Sequence, residues 1–265
     1  MKSKKYVVIG DGWLGRELAD RFDTVPEPLD DLGSAVMMEA FLQATNPDVV
    51  VNTVSAPRKA KKLVQYRAHA VGPRIFNMVK NLINPSIQFV HISDADLHPT
   101  GTVGAAEDDP VEPVDWFSRS KYYAETLLPH DDALILRTRN IFSHQPHLDN
   151  LITRVSRETV LSHEPTSAVS LSDLGYCIEI LVDRKCTGVY NVFNPGVTSY
   201  YSVAEEYQAK VNPGKDFYMN EAIRATNGLF ANVVVDTTKL QDEDIKLPSV
   251  NERIRDIMED YAIVN

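Results

Sequence analysis

An apolar strand running straight into a glycine loop constrains this chain more than anything else in it. Tyr6-Val7-Val8-Ile9 is followed at once by Gly10-Asp11-Gly12-Trp13-Leu14-Gly15, and Gly15–Arg21 reads as the helix that the loop opens. In a G-x-G-x-x-G so placed, each glycine has a physical job. The first permits a tight turn, the second lets the backbone approach a pyrophosphate, and the third lets helix and strand pack closely. The helix N-terminus then offers free N–H groups to the anion. The loop is expected to cradle a dinucleotide, with Gly10, Asp11, Gly12, Trp13, Leu14, Gly15 and Arg16 around its phosphates.

The rest of the first half keeps the same rhythm. Thr24-Val25 is a short strand candidate, Val36–Ala44 a helix, and Asp48-Val49-Val50-Val51-Asn52 a strand whose polar end, Asn52, is placed at the cofactor. Val71–Leu82 reads as a helix, Gln88–Ile92 as a strand, Phe117–Leu128 as a helix and Leu134–Arg137 as a strand. Buried strands alternating with helices imply an α/β, Rossmann-like, doubly wound parallel sheet covered on both faces. Beyond residue 140 the rhythm changes, through a polar loop His144–Asp149 and helices Leu151–Glu158 and Leu171–Val182. A strand Gly188–Phe193 and the turn Asn194-Pro195-Gly196 precede further helices at Val203–Lys210, Glu221–Ala225 and Asn251–Tyr261. The expected division is a dinucleotide-binding domain over 1–143 and a small substrate lobe over 144–265, interleaved with sheet-completing segments at about 171–194.

Composition narrows the partners. A net charge of -10 argues against nucleic acid or an anionic membrane as the main partner, so any phosphate must be held locally. No segment approaches a membrane-spanning length, and the N-terminal apolar run is too short for a signal peptide. Two cysteines, Cys177 and Cys186, fit a reducing cytosol. His144 and His147 are spaced like metal ligands but lack a third nearby, so no metal is expected. NADP and NAD both stay open as cofactor. An acid closing the second strand favours a free 2′-hydroxyl, and Asp23 is the nearest candidate; Arg16 and Arg21 could instead face a 2′-phosphate, and Asp30 the adenine.

Phe117-Ser118-Arg119-Ser120-Lys121 carries the chemistry. A Tyr four residues ahead of a Lys on one helix is the proton-donating pair of the short-chain dehydrogenases/reductases. Positions i and i+4 share a helical face, so the ammonium can ease the phenol's ionisation and hold a cofactor ribose. Here the Lys stands and the phenol is a phenyl ring, which has no proton to give.

With Gly12-Trp13-Leu14-Gly15, Pro47–Asn52, Trp116–Lys121, Leu136-Arg137-Thr138-Arg139, Asn150–Arg154, Asn194–Ser199 and Asp236–Leu240 in this order, the chain resembles extended short-chain reductases that finish rhamnose synthesis. The plant-type bifunctional 3,5-epimerase/4-reductases and the bacterial dTDP-4-dehydrorhamnose reductases are the relevant members. The resemblance implies a nucleoside-diphosphate 4-keto-6-deoxy sugar as substrate. It places Ser93 at the end of the fourth strand to polarise the carbonyl, or Asp94 if the register shifts by one. It keeps Lys121 and puts Phe117 where the family has Tyr. Where that family has an epimerisation Cys and Lys, this chain has Ala95 and Arg154, and Arg is a poor base.

Asn140 is implied at the nicotinamide and sugar pocket, Arg154 and Arg157 at the diphosphate, and Thr166 as a hydroxyl partner. Asp94, Asp96 and His98 are the stand-in acids after the fourth strand. A homodimer through the helices flanking Lys121 is implied as well. Two readings follow: a reductase with impaired or altered acid catalysis, or a non-catalytic regulatory subunit that binds dinucleotide and sugar nucleotide.

Overall fold

The computed structural model describes residues 4–27, 33–219 and 232–264. In chain order its elements are β1 (Tyr6–Ile9), α1 (Trp13–Arg21), β2 (Pro26–Glu27), α2 (Ala35–Thr45), β3 (Val49–Asn52), α3 (Lys62–Tyr66), a π-helical turn over Arg67–Val71, and α4 (Gly72–Ile83). Next come β4 (Gln88–Asp94), β5 (Val103–Ala105), α5 (Trp116–Leu127), β6 (Ala133–Thr138), β7 (Ile141–Phe142), α6 (Leu151–Ser156), β8 (Val160–Leu161) and β9 (Val169–Ser170). The chain continues through α7 (Leu171–Asp183), β10 (Gly188–Asn191), α8 (Tyr200–Lys210), β11 (Tyr218–Met219), β12 (Val234–Val235), α9 (Thr238–Asp242) and α10 (Val250–Val264).

Six strands form one sheet in the order β10-β6-β4-β3-β1-β2, and the pairs β1–β2, β1–β3 and β3–β4 are parallel. From β1 the chain steps to one side for β2 and to the other for β3. That reversal opens a crevice at the carboxyl ends of β1 and β3, where open α/β sheets bind their ligands. The strands are apolar throughout because both faces are covered: β3, β6 and β10 are buried along their whole length. Ile9, Val50, Phe89 and Ile135 pack against Met38, Leu42, Phe76 and Val79 of the helices. Side-chain caps set where two helices begin: Ser34 accepts the Met37 N–H at 3.3 Å, and Asp115 accepts that of Ser118 at 2.7 Å.

Two sequence expectations in this region are corrected. The second strand is Pro26–Glu27, not Thr24-Val25, because α1 closes through Asp23 at φ 50° and Thr24 donates back to Ala19 O at 2.9 Å. The helix expected from Val71 is preceded by α3 and the π turn, a polar stretch with no apolar stripe to betray it.

The chain divides into two compact units. The first comprises Met1–Leu97, Pro113–Arg137 and Ile178–Tyr190, and the second His98–Glu112, Thr138–Cys177 and Asn191–Asn265. The second unit thus takes up residues 98–112 and 138–177, and 178–190 belongs to the first. The second unit has its own core, with Phe142, Leu151, Ile152, Tyr200, Val203, Ile254 and Met258 interlocked. It is pinned by Arg253, which makes paired 2.8 Å bonds to the two oxygens of the buried Asp173. The helix expected at Glu221–Ala225 lies outside the described residues.

Candidate active site

In the loop between β1 and α1 the three glycines face three different constraints. Gly10 sits at φ +106°, a conformation that suits glycine, and donates its N–H to Glu27 O at 3.0 Å. A Cβ on Gly15 would stand 1.8 Å from Gly10 O, so helix and strand touch with no room for a side chain. A Cβ on Gly12 would meet nothing within 4 Å among the described residues. One glycine makes the turn, one leaves the backbone open to approach, and one permits contact. Gly12 is also the N-cap of α1 and makes no side-chain cap bond, which leaves first-turn N–H groups available to an anion.

The acid at the end of β2 is Glu27, which stands in register with Ile9; Asp23 precedes the strand. Arg21 pairs with Glu179 at 2.7 Å, and Arg16 donates its Nε–H to Asp11 O at 2.8 Å. Asp30 lies outside the described residues.

Lys121 stands one turn beyond Phe117 on α5, only 5% exposed. Its ammonium makes one hydrogen bond among the described residues, to Ile92 O at 3.4 Å. Burial pushes its pKa below the ordinary lysine range, while Asp94 and then Glu125 draw it back up. Such an ammonium has three donors and spends one of them weakly.

The end of β4 has a bonding pattern of its own. Ser93 is buried, and its hydroxyl donates to Glu125 Oε1 at 2.6 Å. The same carboxylate receives Arg137 through Nε at 3.1 Å and a terminal nitrogen at 2.8 Å. The single proton of Ser93 is therefore spent on this pair and not on a carbonyl. Alternation along the strand sends Asp94 to the opposite face, where it accepts the Asp96 N–H at 2.9 Å. Ala95 is buried and has no polar group to offer.

The ring of Phe117 is held between two basic residues. His69 meets it edge-on with centroids 4.9 Å apart, and the Arg58 guanidinium carbon lies 4.3 Å from its centroid. Arg58 is in turn bound by Asp115, through one terminal nitrogen, and by the buried Asp96 through the other. That contact commits Asp96, one of the stand-in acids, to a salt bridge. His98 is buried and falls in the second unit.

His69 is locked by its neighbours. Its Nε2 accepts the Ala56 N–H at 2.9 Å, and its Nδ1–H faces Ser120 Oγ at 2.7 Å, whose own proton goes to Phe117 O. Burial, helped by the charge of Lys121, holds the His69 pKa down to about 2, so the ring is neutral near pH 7. His91 is neutral for the same reasons, at about 3.

Three further expected ligands are turned inward. Asn52 gives its amide N–H to His91 Nδ1 at 2.9 Å and takes the Val54 N–H at 3.2 Å, shaping the loop after β3. Asn140 adopts φ 47° and donates to Thr166 Oγ1 and Ser167 O, both at 3.1 Å. Thr166 is fully buried, so those two residues satisfy each other inside the second unit. Arg154 is half-buried on α6, and Arg157 is exposed just past that helix.

Sequence reasoning passed over Arg58, His69, Glu125 and Glu27. Glu125 had a signal: it lies four residues past Lys121 on the same helical face, and a strand arginine such as Arg137 demands a partner. Arg58 had none, since its position depends on the path of an irregular loop.

No protein-family model matches the chain. Over 164 residues it is 30% identical to the bifunctional dTDP-4-dehydrorhamnose 3,5-epimerase/dTDP-4-dehydrorhamnose reductase of Arabidopsis thaliana, covering 59% of this chain and 54% of that protein. The chain thus spans about half the length of this curated relative. Among solved structures, the L780 UDP-rhamnose synthase of Acanthamoeba polyphaga mimivirus superimposes with a TM-score of 0.84 at 16% identity, covering 97% of this chain and 99% of that one. A dTDP-4-dehydrorhamnose reductase from Bacillus anthracis, solved with NADP, gives 0.82 at 19% identity over 96% and 97%. The Bordetella bronchiseptica enzyme WbmG, solved with NAD and UDP, gives 0.80 at 16% over 98% and 94%. The fold is that of nucleotide-sugar reductases and epimerases, and the resemblance read from the sequence is the one these comparisons return.

Proposed function

We propose that this chain binds NAD(P)H and reduces a nucleoside-diphosphate 4-keto-6-deoxy sugar, with acid catalysis altered by Phe117. The observation that carries the reading is Lys121, a buried ammonium with one 3.4 Å bond, on the same polypeptide unit as an open glycine loop. Burying an under-bonded charge is costly, and a ligand with hydroxyl acceptors relieves that cost. The Gly10–Gly15 loop and the first turn of α1 hold the pyrophosphate, and Lys121 holds a ribose. Bound there, the dinucleotide supplies the hydride.

Asp94 biases Lys121 toward its charged form. Arg154 and Arg157 serve the sugar nucleotide's diphosphate. A second copy of the chain packs on α4 and α5, whose outer faces leave Met78, Leu82, Tyr123 and Leu127 exposed. The protein works in the cytosol, as two cysteines without a disulfide fit. Among the described residues no helix is long and apolar enough to cross a membrane.

A second reading, a regulatory subunit that binds without turnover, is favoured by one observation: the ring at position 117 has no proton to give. Nicotinamide fluorescence, titrated with NADH and NADPH, separates these readings together with an assay of consumption on UDP- or dTDP-4-keto-6-deoxyglucose. Binding is expected, weakened about tenfold or more by Lys121→Met. Absence of binding to either dinucleotide refutes both readings. Binding without turnover, unrescued by Phe117→Tyr, leaves the regulatory one.

A further inference from the structure

We propose that Arg58 supplies the positive charge that draws out the keto oxygen in the reduction, in the role a phenol at position 117 would have filled. The inference rests on the reductase reading above. Four observations support it.

The guanidinium carbon lies 4.3 Å from the centroid of the ring of Phe117, the residue that replaces the acid. Its orientation is set in advance, because Asp115 and Asp96 each hold one terminal nitrogen. Its backbone is set as well: the buried Gln65 donates from one amide nitrogen to Pro57 O at 3.1 Å, Arg58 O at 2.8 Å and Ala60 O at 3.1 Å. Finally, of the five guanidinium N–H donors only two are bonded among the described residues. A charge fixed before reaction, with donors unspent, is what electrostatic stabilisation of a developing alkoxide requires.

Arg58 cannot be the acid, since its guanidinium does not deprotonate in proteins. The step balances without it. The hydride and its electron pair pass from the dihydronicotinamide, which is oxidised, to the carbonyl carbon. The C=O π pair moves to oxygen, and that alkoxide, bonded to Arg58 directly or across one water, takes its proton from water. The hydroxide left behind is neutralised by solvent. Asp96 and Asp115 are positioning residues here: they aim the guanidinium and touch no substrate.

Two measurements test the role. In steady state, Arg58→Gln should lower kcat by about 10²–10³ with KM little changed. In the Phe117→Tyr background the same change should cost far less, because phenol and guanidinium would then serve one oxygen. Wild-type kcat should also stay level from neutral to mildly alkaline pH, whereas Phe117→Tyr should introduce a titrating limb.

The second measurement needs no turnover. Ultraviolet difference titration of Phe117→Tyr against the wild type should show a phenol ionising below its usual value of about 10, and Arg58→Gln should raise it again. Near-ultraviolet circular dichroism checks each fold, and Arg58→Lys replaces Arg58→Gln if the latter fails to fold. A kcat indifferent to Arg58, or a phenol whose titration ignores it, overturns the proposal. Failure of the reductase reading looks different: Phe117→Tyr then binds dinucleotide and never turns over, while the titration still decides on Arg58.

Discussion

The glycine loop and the N-terminus of α5 belong to the same unit, yet they answer to different rules. Each glycine of Gly10–Gly15 meets a backbone constraint that no side chain could satisfy in its place: a positive φ, an open approach, a contact with no room for a Cβ. At α5 the constraint is electrostatic. A reaction centre of the proposed kind needs positive charge and polarity near one oxygen, and several side chains can provide that. So the loop keeps its pattern residue for residue, while the centre has Phe117 and an arginine from a distant loop, clasped by two aspartates. Geometry written in the backbone resists substitution; geometry written in charge can be rebuilt from other residues.

The largest expected effect tests whether the loop's constraints are separable. Gly15→Ala puts a Cβ 1.8 Å from Gly10 O, and neither β1 nor α1 can yield without disturbing the sheet. Overpacking of well-packed sites costs about 1–3 kcal/mol or more, and backbone contacts lie at the upper end. Thermal denaturation should show a drop of many degrees, with dinucleotide binding lost. Gly12→Ala should leave the melting temperature nearly unchanged, since its Cβ meets nothing, and still weaken dinucleotide binding about tenfold. Equal thermal effects at the two positions would show that the loop is one packing unit and not a cradle.

The same contrast explains what was legible in the sequence. Hydrophobic strands of period-free, β-branched character and a glycine loop at a strand end signal a parallel sheet directly, and β1, β3 and β6 lie where they were expected. That Phe117 and Lys121 stand one turn apart on one helix was legible because a helix converts spacing into a shared face. The partner of Ser93 was hidden by a finer matter. The strand runs on to Asp94, and Ser93 takes Glu125 as its partner because Glu125 of α5 and Arg137 of β6 meet beside it. Asn52, Asn140 and Thr166 are polar residues near strand ends whose partners are remote in sequence: His91 of β4 bonds Asn52, and Thr166 bonds Asn140. Arg58 could not be read at all, since nothing local marks where a side chain from an irregular loop will end.

A change of pH should act on the centre and not on the loop. His69 and His91 are fully buried and neutral, with folded pKa values of about 2 and about 3 against an unfolded value of 6.5. Below pH 6.5 the unfolded chain takes up protons that the folded chain refuses. Their contribution to stability is therefore complete above that value and is lost as pH falls toward 3 and then 2. Each histidine can add up to about 1.4 kcal/mol per pH unit to the slope in that window. Urea titrations at neutral and mildly acid pH should show the decline, and His91→Gln should make it shallower. A slope untouched by that change would place the acid sensitivity in carboxylates instead.

The smallest expected effect lies where loop and charge meet, at the choice between NAD and NADP. Glu27 stands at the carboxyl end of β2, with its carbonyl bonded to the Gly10 N–H at 3.0 Å, at the strand end where the proposed dinucleotide would set its adenosine ribose. A carboxylate there accepts from a free 2′-hydroxyl and repels a 2′-phosphate. Of the two cations read from the sequence, Arg21 is paired with Glu179, and Arg16 is turned by its Nε–H toward Asp11 O in the glycine loop. NADH should therefore bind more tightly than NADPH, by about tenfold at low salt, and the gap should narrow as salt screens the repulsion. Glu27→Gln should close most of that gap by strengthening NADPH alone, because an amide still accepts from the hydroxyl but carries no charge. Paired fluorescence titrations in low and high salt measure both terms, and a preference for NADPH in the wild type would mean that Glu27 points away from the ribose.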